Sequence, residues 1–144
     1  MNLDEKDRLI IRLLSDNARM PVSELSKQVG LSGPSTSERI RRLEHNDIIS
    51  RFTVELDLAA LGYPLQAIVR IKPRPGNMHI VEEMILNEPG FLDCDKVTGD
   101  DCFVTRLALR SIADLDPILL PFHEKAETNT AIIKSSPLRA RIPV

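Results

Sequence analysis

Three arginines, Arg39, Arg41 and Arg42, crowd the segment LSGPSTSERIRRLE (31–44), and three serines, Ser32, Ser35 and Ser37, precede them. A guanidinium offers paired N–H donors that fit phosphate oxygens or the edge of guanine, and a short hydroxyl can reach a base edge at close range. At 100° per residue, Thr36, Ile40 and Leu43 share one face. Turning that face inward sends Glu38, Arg41, Arg42 and His45 outward and leaves Arg39 on a flank. A helix of this kind entering a major groove N-terminus first would read bases with Ser35, Ser37 and Arg41. It would hold phosphates with Arg39 and Arg42, helped by the free N–H groups beside Ser32. A solvated face, with Glu38 and Glu44 pairing with Arg41 and Arg42, would use the same residues.

The neighbouring elements bear on that choice. Asp4 has the character of an N-cap, with Asp7 placed to complete a capping box, and Ile10, Leu13 and Leu14 follow at helical spacing to a stop at Asn17. Pro21 opens a second helix faced by Val22, Leu25 and Val29, and Gly30 stands at its left-handed cap position. Ser32 caps the third helix, with Pro34 in its first turn, and Asn46-Asp47 closes it. Ile49, Phe52 and Val54 then lie in β-prone sequence. Three short helices, a glycine turn and a strand read as a winged helix-turn-helix over residues 1–52, with Arg51 a phosphate contact on the wing.

Residues 53–64 read as wing and hinge, punctuated by Gly62 and Pro64. Beyond them the spacing predicts a strand at 65–73, a helix at 78–86, strands at 91–98 and 102–110, a mostly helical 113–126 bent or started by Pro117, and a strand at 130–136. The second domain, 65–144, is therefore expected to be a ferredoxin-like βαββαβ sandwich, and the class α+β. Ile68 and Val69 put apolar groups on both sheet faces, as expected if a second copy covers one of them.

Composition fits this reading. The chain has 144 residues, a net charge of −2, no Trp and one Tyr, so it carries neither a global basic field nor a stacking platform for single strands. Charged residues at Asp4 to Asp7 stand where a signal peptide would be apolar, no run suits a membrane, and two cysteines without metal-ligand spacing suit a reducing cytoplasm. His45, His79 and His123 are scattered, so no metal site, cofactor or catalytic constellation is expected.

The chain resembles the Lrp/AsnC family of transcriptional regulators. The resemblance rests on LDEKDRLIIRLLSDNAR (3–19), VSELSKQVGLS (22–32), ERIRRLEHNDII (38–49), LGYPLQAIV (61–69) and VTGDDCFV (97–104). It implies binding to double-stranded DNA without enzymatic activity, an effector that is an amino acid or similar small molecule, and homodimers assembling to tetramers or octamers. Asp47 stands where the family usually carries Gly, and Cys102 where many relatives carry an acidic residue. With the resemblance in view, Gly99, Asp100 and Asp101 become an effector loop: Gly99 for positive φ and close approach, an aspartate for an ammonium, turn N–H groups for a carboxylate. An ordinary hairpin turn fits the same three residues. The resemblance also admits a siroheme-decarboxylase-like enzyme or an architectural DNA-binding protein of broad preference.

Overall fold

The computed structural model describes residues 2–144. The chain divides into two compact units, one running to Glu55 and including Leu138–Val144, the other Leu56–Pro137. Residues 138–144, which the sequence assigns to the second domain, thus group with the first unit.

In the first unit, α1 spans Glu5–Asp16, α2 Val22–Val29 and α3 Gly33–His45. Local chemistry sets each boundary. Asp4 Oδ1 accepts from the Asp7 N–H at 2.8 Å and Asp7 Oδ2 from the Asp4 N–H at 3.2 Å, completing the capping box. Gly30 closes α2 at φ 70°, and Lys6 Nζ donates to the carbonyl of Val29 at 2.7 Å, tying α1 to that end. Ser32 Oγ accepts from the Ser35 N–H, and Pro34 sits in the first turn of α3. Ile10, Leu14, Leu25, Val29 and Leu43 form the core, each contributing about 1.5–3 kcal/mol by leaving water.

The end of α3 is a Schellman motif: the Asp47 N–H donates to Glu44 O and the Ile48 N–H to Leu43 O, with Asp47 at φ 56°. The aspartate thus adopts the backbone conformation that glycine takes most cheaply. The expected wing strand does not form. Residues 50–57 hold no strand, because an extended segment needs a neighbour to satisfy its ladder and none lies beside this one among the described residues. Phe52, Val54 and Leu56, at alternate positions along it, are exposed.

The second unit is the expected ferredoxin-like sandwich. β1 (Leu65–Pro73), α4 (Met78–Asn87), β2 (Phe91–Lys96), β3 (Phe103–Leu109), α5 (Leu115–Leu119) and β4 (Ala126–Ile132) build an antiparallel sheet of order β2-β3-β1-β4. Ala67, Val69 and Ile71 from β1, with Phe103, Leu107 and Leu109 from β3, form the buried face with Val81, Ile85 and Phe122. Phe91 meets Phe122 edge to face at 5.9 Å. On the other face Ile68 and Val104 are half-buried beside Arg70 and Arg106, so that face is mixed.

Two boundaries differ from expectation. The helix expected over 113–126 is five residues long and flanked by 3₁₀ turns, since Pro121 supplies no N–H to continue it. The last strand is 126–132 rather than 130–136. It is an edge strand whose sequence AETNTAI is mostly exposed, so hydropathy does not mark its start. Among the described residues no helix is long and apolar enough to cross a membrane.

Candidate nucleic-acid interface

The outer side of α3 carries the residues that a DNA-facing helix and a solvated one would share. Thr36 and Leu43 are fully buried, and Ile40 is half-buried. Thr36 Oγ1 satisfies itself by donating to Ser32 O at 2.9 Å. Ser32, Ser37, Glu38, Arg41, Arg42, Glu44 and His45 are exposed, and Ser35 is half-buried at the first turn. The face turned to solvent is therefore the one its periodicity predicts.

The three arginines do not share one role. Arg39, on the flank, lies against its own protein: its Nη1 donates to Asp4 Oδ2 at 2.7 Å and to Asp7 Oδ1 at 2.8 Å, and its side chain is 23% exposed. Asp7 is 1% exposed, so this is a buried carboxylate held by a guanidinium. Arg42 makes a longer second approach to Asp7 at 3.3 Å while remaining half in solvent. Arg41 is 74% exposed and meets only Glu38, one turn back, at 2.7 Å. An exposed pair of that kind contributes little to stability and yields readily to another anion. The phosphate role expected of Arg39 therefore meets a physical obstacle, since leaving Asp7 would strand a buried charge. Arg41 is unobstructed, and Arg42 stands between the two cases. Arg51 is exposed in the segment where the wing strand was expected.

Asp7 is the functional residue that sequence reading missed. It was legible as a capping partner, but not as the group that fixes α3 against α1, because Arg39 lies 32 positions away. The cluster leaves a measurable signature on its exposed member. Asp4 is lowered from 3.8 to about 2, first by the Asp7 backbone N–H and then by the Arg39 side chain. The same contacts, Asp4 first and Asp7 second, raise Arg39 and keep it charged. A depressed carboxylate stabilises the fold fully above its unfolded pKa, and that contribution fades as pH falls from about 3.8 towards 2. An NMR titration of Asp4 should accordingly show a midpoint near 2. In Arg39→Ala the midpoint should rise only part of the way, because the larger cause remains; a full return would reverse the order of the two causes.

The proposed effector loop, in the second unit, is a tight β2–β3 connection. Val97 N–H donates to Cys102 O at 2.7 Å and Phe103 N–H to Asp101 O at 2.7 Å. Gly99 does not take the positive φ expected of it. That conformation falls on Cys102, at φ 60°, and the space beside the Gly99 Cα is open. Asp101 lies 3.6 Å from Arg70 Nε, while Asp100 is exposed at the tip. Asp100 is thus the freer acceptor for an ammonium. His45 on α3, His79 on α4 and His123 in the turn before β4 are all exposed.

Comparison with known proteins bears on the same two regions. An AsnC-type helix-turn-helix domain model matches residues 3–44, and an Lrp/AsnC ligand binding domain model matches 66–142. The chain is 30% identical to the HTH-type transcriptional regulator LrpC of Bacillus subtilis over 135 residues, 94% of each protein. It is 32% identical to the HTH-type transcriptional regulator FL11 of Pyrococcus horikoshii over 117 residues, 81% of this chain and 78% of that one. The fold matches the structure of B. subtilis LrpC with a TM-score of 0.88 at 29% identity, over 94% of this chain and 97% of that one. It also matches a Neisseria meningitidis transcriptional regulator, NMB0573, in complex with L-Met. There the TM-score is 0.88 at 21% identity, over 96% and 94% of the two chains.

Proposed function

The chain belongs to the Lrp/AsnC family of transcriptional regulators, with a DNA-binding helix-turn-helix domain followed by a ligand-binding domain, and from that premise we propose how its own residues divide the work. α3 enters the major groove of double-stranded DNA. Arg41, Ser37 and Ser35 face base edges, Arg42 and Arg51 face phosphates, and the capped N-terminus at Ser32 adds N–H donors for a phosphate. Arg39 holds the helix rather than the duplex. The observation that carries this reading is the exposed Arg41, on a helix whose opposite side is anchored by the buried Asp7.

The second unit binds a small effector, and we infer an amino acid, with Asp100 in the loop 97–104 taking its ammonium. The ligand-binding domain match supports a small molecule, and the neisserial regulator of the same fold is described with L-Met. The working form is a homodimer that assembles further to a tetramer or octamer. Exposed Phe52, Val54 and Leu56 alternate along a segment that has no strand partner among the described residues of one chain, which suits pairing with a second copy. Two α3 helices would then meet a roughly palindromic operator, and we infer that the protein works in the cytoplasm.

The testing experiment is titration of the duplex upstream of the protein's own coding sequence, with random duplex as competitor and with each amino acid in turn. Preference for the upstream duplex, changed several-fold by one amino acid, is expected. Equal binding to both duplexes would favour the broad architectural reading, and indifference to every amino acid would remove the effector assignment.

A further inference from the structure

Charge divides unevenly between the two units. Residues 56–137 hold eight Lys and Arg against twelve Asp and Glu, a net of −4. Residues 1–55 hold nine of each and are neutral. The net positive charge of the helix-turn-helix unit therefore comes from the short segment that joins it, where Arg139 and Arg141 bring the unit to +2. A duplex is a dense line of negative charge, and a neutral protein surface gains little from approaching it.

The segment is seated, not loose. Ile142 is half-buried and forms part of a cleft of about 300 Å³ whose other walls include Ile11 and Leu14 of α1, Ala18 just past its end, and Ile49 and Arg51 beyond α3. Val144 is half-buried as well. Arg139 and Arg141 are exposed on either side of Ala140, which bends the chain at φ 48°. Neither arginine joins an ion pair among the described residues, whereas Arg39, Arg41 and Arg42 all face carboxylates. Apolar anchors hold the segment down, Ile142 in the cleft that Arg51 also lines, and two uncompensated guanidinium groups stand out from it.

We propose that residues 138–144 are an arm of the helix-turn-helix unit whose Arg139 and Arg141 bind backbone phosphates of the duplex that α3 reads. This rests on the DNA-binding reading above. The arm offers isolated cations on an irregular segment and no element shaped to fill a groove, so its contribution is to affinity and salt dependence, not to base discrimination.

Each phosphate contact releases counterions and steepens the fall of log affinity with log salt by about 0.9. The test compares the full chain with Arg139→Ala/Arg141→Ala and Arg139→Lys/Arg141→Lys, by fluorescence anisotropy on a labelled mixed-sequence duplex between 50 and 200 mM salt. The Ala pair should flatten the slope by about 1.8, so that wild type loses about twelvefold more affinity across that range than the variant does. The Lys pair keeps the charge and should restore most of the slope, which a purely packing role would not do. A parallel Arg42→Ala sample separates the two readings. If it loses affinity while the Ala pair matches wild type in affinity and slope, DNA binding through α3 stands and the arm is overturned. If wild type binds no duplex, the DNA reading fails and carries the arm with it.

Discussion

Arg39→Ala is expected to lower the stability of the helix-turn-helix unit by about 2–3 kcal/mol, while Arg41→Ala leaves it within about 0.5 kcal/mol of wild type. Asp7 is 1% exposed and accepts from Arg39 at 2.8 Å. Removing that partner leaves a carboxylate out of water with only the longer contact to Arg42 and the N–H of Asp4. Breaking a buried pair by deleting one member costs more than the pair contributes, because the remaining charge has no solvent to return to. Arg42 at 3.3 Å supplies some compensation, which sets the figure below the full cost of an orphaned ion. Arg39→Lys should fall between, since a single ammonium reaches two carboxylates less well than a fork of N–H donors. Denaturant unfolding followed by far-ultraviolet circular dichroism measures all three. An Arg39→Ala protein as stable as wild type yet deficient in DNA binding would return Arg39 to the DNA face.

Arg41→Ala should have the complementary phenotype, an intact fold with specific DNA affinity reduced by about 1–3 kcal/mol, or roughly five- to more than a hundredfold, and with preference at one operator position relaxed. Arg42→Ala, a phosphate contact, should weaken all sequences alike and flatten the salt slope by about one unit. Glu38→Gln makes the assignment sharper. Its carboxylate lies 2.7 Å from Arg41 Nη2 and repels a phosphate, so neutralising it should tighten non-specific binding. Oligomer size, read by light scattering, should stay as in wild type in all three. Unchanged affinity and slope in both arginine variants would mean that α3 does not meet DNA.

The contrast between these arginines shows which information is local. Asp4, Gly30, Ser32 and Asn46 could be placed from sequence because a cap acts within four residues of itself. The inward face of α3 could be placed because Thr36, Ile40 and Leu43 keep helical spacing. The same spacing set Arg39 on a flank and Arg41 outward, but it could not reveal that Arg39 pairs with the protein's own carboxylates. Its partners Asp4 and Asp7 come from another helix, and only packing brings them within 3 Å. The wing failed for a related reason, because β-prone residues at 49–54 mark a strand without supplying the neighbour it needs. β4 began four residues early because an edge strand needs few apolar groups. In the loop, Gly99 marked the turn correctly, but the left-handed residue is Cys102, since the turn's own hydrogen bonds decide where positive φ falls. The arm was invisible in the same way: its meaning depends on which unit it folds against.

The Asp4–Asp7–Arg39 cluster also limits how specificity can be re-engineered. Positions 37, 38, 41 and 45 point away from the cluster and can be randomised together in a selection for new operators. Position 39 cannot join that library without position 7, because most combinations would be lost as misfolded chains before any sequence preference was scored. A recognition helix transplanted from a relative should travel with the start of its first helix, as one cassette.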